Sequence, residues 1–172
     1  MFQVLAYVYE TYWRGDACPE PQQLGRKLSA QGFDDEEIDD ALRWLDGLTH
    51  ATQGVQIVKR ADGAAATITL RSDVSDDTIE ASSNALRVHS VAEQDHLGAE
   101  CLGFIRFLEN AGVLPGRMRE IVIDRAMAAP GDPVELDDLK IIVLMVYWST
   151  GIEPDALVLD ELCDDTSGRI GH

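Results

Sequence analysis

The sequence is short of basic residues. Against 31 Asp and Glu it sets only 14 Lys and Arg in 172 positions, a formal net charge of −17. The deficit is spread along the chain: residues 1–50 hold ten acids and four bases, 51–90 five and four, and 91–172 sixteen and six. Each phosphate contact of a nucleic-acid surface ordinarily takes a Lys or Arg, so DNA or RNA affinity is disfavoured. Cysteine is sparse too. Cys18, Cys101 and Cys163 are odd in number, widely spaced and form no C-x-x-C pair. That pattern fits neither a disulfide framework nor a zinc site and reads as buried free thiols. Long hydrophobic runs are missing: the longest, Ile141 to Trp148, has eight residues, whereas a bilayer span takes about 20. No stretch near Met1 combines a basic region, an apolar run and a cleavage site, so a cytoplasmic location and no membrane are expected. Catalytic signatures are missing as well: no G-x-S-x-G, no H-E-x-x-H, no P-loop and no glycine-rich dinucleotide turn. No catalytic residue, metal or cofactor is expected, and a non-enzyme is.

What the chain does hold is helical periodicity. Phe2 to Trp13 has two edges at helical spacing, Phe2, Leu5, Tyr9 and Tyr12 on one and Val4, Tyr7, Val8 and Thr11 on the other, the pattern of a largely buried helix. Pro19 and Pro21 open a second helix with Leu24 and Leu28 inward, closed by Gly32. Asp34 and Glu37 have capping-box spacing and start a third helix with Ile38, Ala41, Leu42, Leu45 and Leu48 on its inner face and Trp44 at the edge. A second capping box, Ser90 and Glu93, launches a helix through Leu97, Cys101, Phe104, Ile105 and Leu108. Pro115 and Gly116 lead into the helix of Met118, Ile121, Val122, Arg125 and Ala126. The next begins near Glu135 to Asp138 and is apolar on every side from Leu139 to Trp148 except at Lys140, the mark of a helix at the centre of a core. Lys140 should snorkel to the surface or pair with Asp137. A last short helix is expected around Leu157, Leu159 and Leu162.

Between these lies a less regular stretch. Val55 to Lys59 and Thr67 to Leu70 have β-branched content around Asp62-Gly63, which suits a small β-hairpin; a mobile linker suits the composition as well. Leu86 to His89 reads as a short strand.

Two charged groups stand out. Arg106, Glu109, Arg117, Arg119, Glu120, Asp124 and Arg125 form the densest mixed cluster. Arg125 interrupts an inward face and calls for a partner such as Glu109 or Glu120. An ion-pair network between helices is favoured over an anion or partner site on Arg117, Arg119 and Arg125. The other group is acidic: Asp34, Asp35, Glu36, Glu37, Asp39 and Asp40 at the start of the third helix. The second and third helices have a helix-turn-helix outline, but these six carboxylates would face phosphates where the reading helix meets DNA. His89, Glu93 and His96 share a spacing that outlines a metal face, with His89 falling before the cap Ser90.

These residues also carry a resemblance. MFQVLAYVYETYW, GFDDEEIDDALRWLDGL, and CLGFIRFLE, REIVIDR and ELDDLK in order resemble the Smg family of bacterial proteins, a family of unknown function. The likeness spans residues 2–50 and 86–150. Leu102 stands where the family usually has arginine, Ile141 where a tryptophan is common, and His89 where an aromatic is usual. The resemblance implies a cytoplasmic bacterial protein whose gene often neighbours those of a DNA-processing protein of the transformation and recombination type and of DNA topoisomerase I. It supplies no active-site residues.

The expected fold is mainly α: an N-terminal three-helix, helix-turn-helix-like unit over 1–50, a variable linker with room for a hairpin over 51–88, a C-terminal helical bundle over 89–165 and a flexible tail over 166–172. The expected function is a non-enzymatic interaction or regulatory factor whose acidic surface meets a basic or DNA-handling protein. The alternative is a winged-helix-like nucleic-acid binder, with Lys59, Arg60 and Arg71 on the wing.

Overall fold

The computed structural model describes residues 1–12, 19–53 and 87–152, and the backbone of 55–58 and 67–70. The described residues are mainly helical. In chain order they form α1 (Phe2–Tyr12), α2 (Pro21–Ala30), α3 (Asp35–Thr52), β1 (Val55–Val58), β2 (Thr67–Leu70), α4 (Val91–Asn110), α5 (Gly116–Met127) and α6 (Leu136–Thr150). The two strands pair antiparallel, Val55 opposite Leu70 and Val58 opposite Thr67. The expected helix at Leu157 to Leu162, the tail over 166–172, Cys18, Cys163 and the wing residues Lys59, Arg60 and Arg71 lie outside the described residues.

Local chemistry accounts for several helix ends. Pro21 sits in the first turn of α2, where a missing N–H costs nothing. Past its end, Gly32 takes φ 93°, a conformation that a side chain would strain. The Ser90 capping box forms: Ser90 Oγ accepts from the Glu93 amide at 3.2 Å, and the Glu93 carboxylate accepts from the Ser90 amide at 2.7 Å. The capping box expected at Asp34 does not form. The Asp34 side chain makes no cap hydrogen bond, and Glu37 turns instead to the Met1 amine, 3.2 Å away. Asp35, Glu36 and Glu37 still lie in the first turn of α3, where carboxylates complement the helix dipole. The strand expected at Leu86 to His89 is absent from the described part, Arg87 to Ser90. That segment is held by side chains, with Arg87 bound to Glu93 and Glu120 and Ser90 bound to Glu93.

At the centre is α6. Every residue from Leu139 to Tyr147 is buried, and the helix packs against α1, α3, α4 and α5. Buried side chains from all six helices join one hydrophobic cluster. Each fully buried Leu, Ile or Met in such a cluster contributes on the order of 1.5–3 kcal/mol. Lys140 is the exception by type. It does not snorkel out: only 4% of it is exposed, and its ammonium lies 6.0 Å from the centre of the Phe104 ring, within range of a cation–π attraction. Tyr147 donates its hydroxyl proton to the Val113 carbonyl, and burial pushes its phenol up to about 12.

Two helices depart from the sequence pattern. In α3 the buried residues are Ile38, Ala41, Trp44 and Leu48, whereas Leu42 and Leu45 are only half-buried. The buried stripe is turned toward Trp44, because its indole N–H donates to the Arg125 carbonyl of α5 at 3.0 Å. In α4 the expected face of Leu97, Cys101, Phe104, Ile105 and Leu108 is buried except at Phe104, which is half-buried, and the helix is not continuous. Gly98 has φ 67° and ψ 173°, a break that only glycine makes cheaply. The break releases the His96 carbonyl, which accepts from the Val134 amide at 2.8 Å. Pro133 fills the space beside Gly98, and the Cys101 thiol donates to the Val134 carbonyl at 3.3 Å.

Candidate functional site

The mixed charge cluster divides between two faces of α5. Arg119 and Arg125 are six residues apart, about 120° around the helix. On the first face Arg119 pairs with Glu109 of α4 and, at 2.9 Å, with Glu120. The sequence reading missed the residue that completes this face. Arg87, from the segment before α4, lies 2.8 Å from Glu120 and 2.9 Å from Glu93 and donates to Nδ1 of His89 at 2.8 Å. Its only sequence signal was position: a lone arginine three residues ahead of a cap serine, in reach of the Glu at the third helical position.

Burial and charge tune these groups. The Arg87 guanidinium, together with the Ser90 amide, holds the Glu93 carboxyl down at about 2. Hydrogen bonding to Glu93 raises Arg87 further. His89 is lowered, first by burial and then by Arg87, with Arg106 and Arg119 adding to the positive surroundings. A neutral imidazole accepting from a guanidinium is the state this favours. Arg106 and Arg117 are exposed and make no ion pair among the described residues. The assembly therefore ties the segment before α4, α4 and α5 together through alternating Arg and Glu.

On the second face Arg125 does not reach Glu109 or Glu120. It pairs with its neighbour Asp124 at 2.7 Å, because its side chain runs the other way, across α3. A methyl group on Gly47 would overlap its guanidinium, so the missing side chain at Gly47 leaves room for the guanidinium where it lies. A cavity of about 460 Å³ lies beside it, lined by Met1, Asp40, Arg43, Trp44, Arg125 and Ala129 among others.

Of the acidic group, Asp34, Asp35, Glu36, Asp39 and Asp40 are exposed and Glu37 is half-buried. Glu37 meets the Met1 amine, and Asp40 meets Arg43 at 3.0 Å. The outlined metal face is not assembled. His89 precedes the helix, Glu93 is engaged by Arg87 and Ser90, and a His96 ring nitrogen lies 3.2 Å from the Ala126 carbonyl. Among the described residues no three His, Cys, Asp or Glu side chains are grouped as a metal ion would require. Cys101 is buried, and its thiol is pushed up to about 11, chiefly by burial, which makes it a poor nucleophile. No helix among the described residues is long and apolar enough to cross a membrane.

The described residues are those of a mainly helical protein. A family described as "Protein of unknown function (DUF494)" matches it over residues 1–172. It is 53% identical over its full length, and that of the relative, to "Protein Smg homolog" of Methylibium petroleiphilum. It is 55% identical over both full lengths to the protein of the same name from Leptothrix cholodnii, and 45% to that from Bordetella petrii. The chain belongs to this Smg family, whose function is unknown. No solved structure matches it.

Proposed function

We propose that this protein is a non-enzymatic interaction or regulatory factor whose acidic surface receives a basic protein, one that handles DNA. The observation that carries the reading is the row of exposed carboxylates at the start of α3, Asp34, Asp35, Glu36, Asp39 and Asp40, on a chain of net charge −17. A surface of this sign steers basic partners and speeds their encounter. The DNA link rests on the gene neighbourhood that the resemblance to the Smg family implies. On this reading α1 to α3 act as a helix-turn-helix-like unit turned to protein recognition, and the Arg87–Glu120–Arg119 seam holds helices together without catalysing anything.

The test is affinity capture with the full chain at low and high salt, repeated with Asp35, Asp39 and Asp40 changed to Asn. A specific basic partner should be retained at low salt, released at high salt and weakened by the triple change. Retention that ignores both salt and the three substitutions would count against the reading.

A further inference from the structure

The groove between α2, α3 and the end of α6 has a volume of about 540 Å³, and Leu24, Leu42, Leu45, Trp148, Asp46 and Thr49 are among the residues that line it. Its walls are the places where the fold falls short of the sequence pattern. Leu42 and Leu45 have the spacing of interior residues yet are half-buried. Trp148 is the first residue after the continuous buried run of α6 to be half-exposed. Apolar surface left this way in a concave site stands ready to be covered by another apolar surface.

Charge says what kind of surface. Positions 35, 39, 42, 46 and 49 of α3 repeat by four and three, so they fall in one line along the helix. That line reads Asp35, Asp39, Leu42, Asp46 and Thr49, and its three aspartates are exposed. Among the described residues Asp35 and Asp39 make no ion pair, and Asp46 meets only His50, at 3.6 Å. An apolar anchor is thus flanked by carboxylates above and below. The complement is a helix with Leu-type residues at three- and four-residue spacing, flanked by Lys or Arg.

We propose that this groove seats the apolar face of a basic amphipathic helix from a partner protein. The proposal rests on the acidic-surface reading above and names where on that surface the partner docks. The same row disfavours the other occupants. A second copy would bring a net charge of −17, and residues 153–172 of this chain carry six acids and one base.

The full chain, labelled with ¹⁵N, should be titrated with three synthetic peptides of about four helical turns: an amphipathic Leu/Lys helix, its Leu/Glu counterpart, and a Lys/Gln helix with no apolar face. The Leu/Lys peptide should shift the Trp148 indole signal and the Leu45 and Thr49 amides saturably, and the other two should not. Leu45→Gln should weaken it about tenfold, as loss of a central anchor does. The double change Asp39→Asn with Asp46→Asn, both at exposed sites, should weaken it several-fold without disturbing the helical signal. Equal binding by the Leu/Glu peptide, or undiminished binding to the Leu45→Gln chain, would overturn the proposal. So would shifts that appear only after residues 153–172 are removed, or that grow with protein concentration alone. Shifts confined to Asp34 to Asp40 would remove the groove and leave the acidic-surface reading standing; no binding by any peptide would remove both.

Discussion

Two regions of this molecule hold helices together by opposite means. Around the buried run of α6, Leu139 to Tyr147, contact is mainly apolar, and the charged residue within that run, Lys140, is 4% exposed and lies over an aromatic ring. Along the α4–α5 seam, contact runs through Arg87, Glu93, Glu120, Arg119 and Glu109, whose side chains are 14–40% exposed. The difference teaches which joint sets stability and which sets alignment. Apolar burial has no preferred direction. A guanidinium between two carboxylates does, and it contributes less because water competes for each partner.

Three substitutions would break or sharpen that contrast. Ile142→Ala, at a fully buried position of α6, should cost about 2–5 kcal/mol by loss of transfer energy and creation of a cavity, read by denaturant unfolding. Arg87→Met keeps the aliphatic stem but leaves Glu93 with Ser90 alone and Glu120 with Arg119 alone, and should cost about 1 kcal/mol after discounting for partial exposure. Its pH signature has a definite sign. The folded value of Glu93, about 2, is below its ordinary 4.5. The stability it contributes is therefore full above 4.5 and is lost as pH falls toward 2. Melting temperatures across that window should fall in the parent chain and fall less steeply in Arg87→Met, where only Ser90 still holds the carboxylate down. Equal slopes in the two would assign the acid sensitivity elsewhere. Smallest of all, Arg43→Gln breaks the 3.0 Å pair with Asp40, whose side chains are 75% and 48% exposed. It should change stability by no more than about 0.5 kcal/mol. A larger loss would mean that exposed pairs count here as much as the seam.

The helices were legible because apolar residues recur at helical spacing and the breaks between them are Gly or Pro. Leu139 to Trp148 announced a central helix by having almost no polar face. The Ser90–Glu93 cap was legible because both partners lie within one turn. What was hidden depended on distant chain segments. The indole of Trp44 finds a carbonyl on α5 and turns α3 with it, and no periodicity within α3 encodes that. The break at Gly98 needs Val134, from the far side of α5, to take up the freed carbonyl. Likewise the charge cluster looked like one site because its residues are close in sequence. One side of α5 took Arg119 and the other Arg125, while Arg87 joined from a segment whose charge alone gave no hint.

The burial of α6 on all sides has a consequence for how the chain reaches its fold. Its neighbours include α1, at the opposite end of the described residues, so the central helix cannot be sheltered until the two ends have met. Closing so long a loop costs entropy before any of its contacts repay it, and chains rich in such distant contacts fold slowly for their size. A nascent chain that has made only α1 to α3 would carry the leucine and valine side chains meant for α6 still facing water. Assembly should therefore be late and cooperative, gated by the arrival of the last described helix.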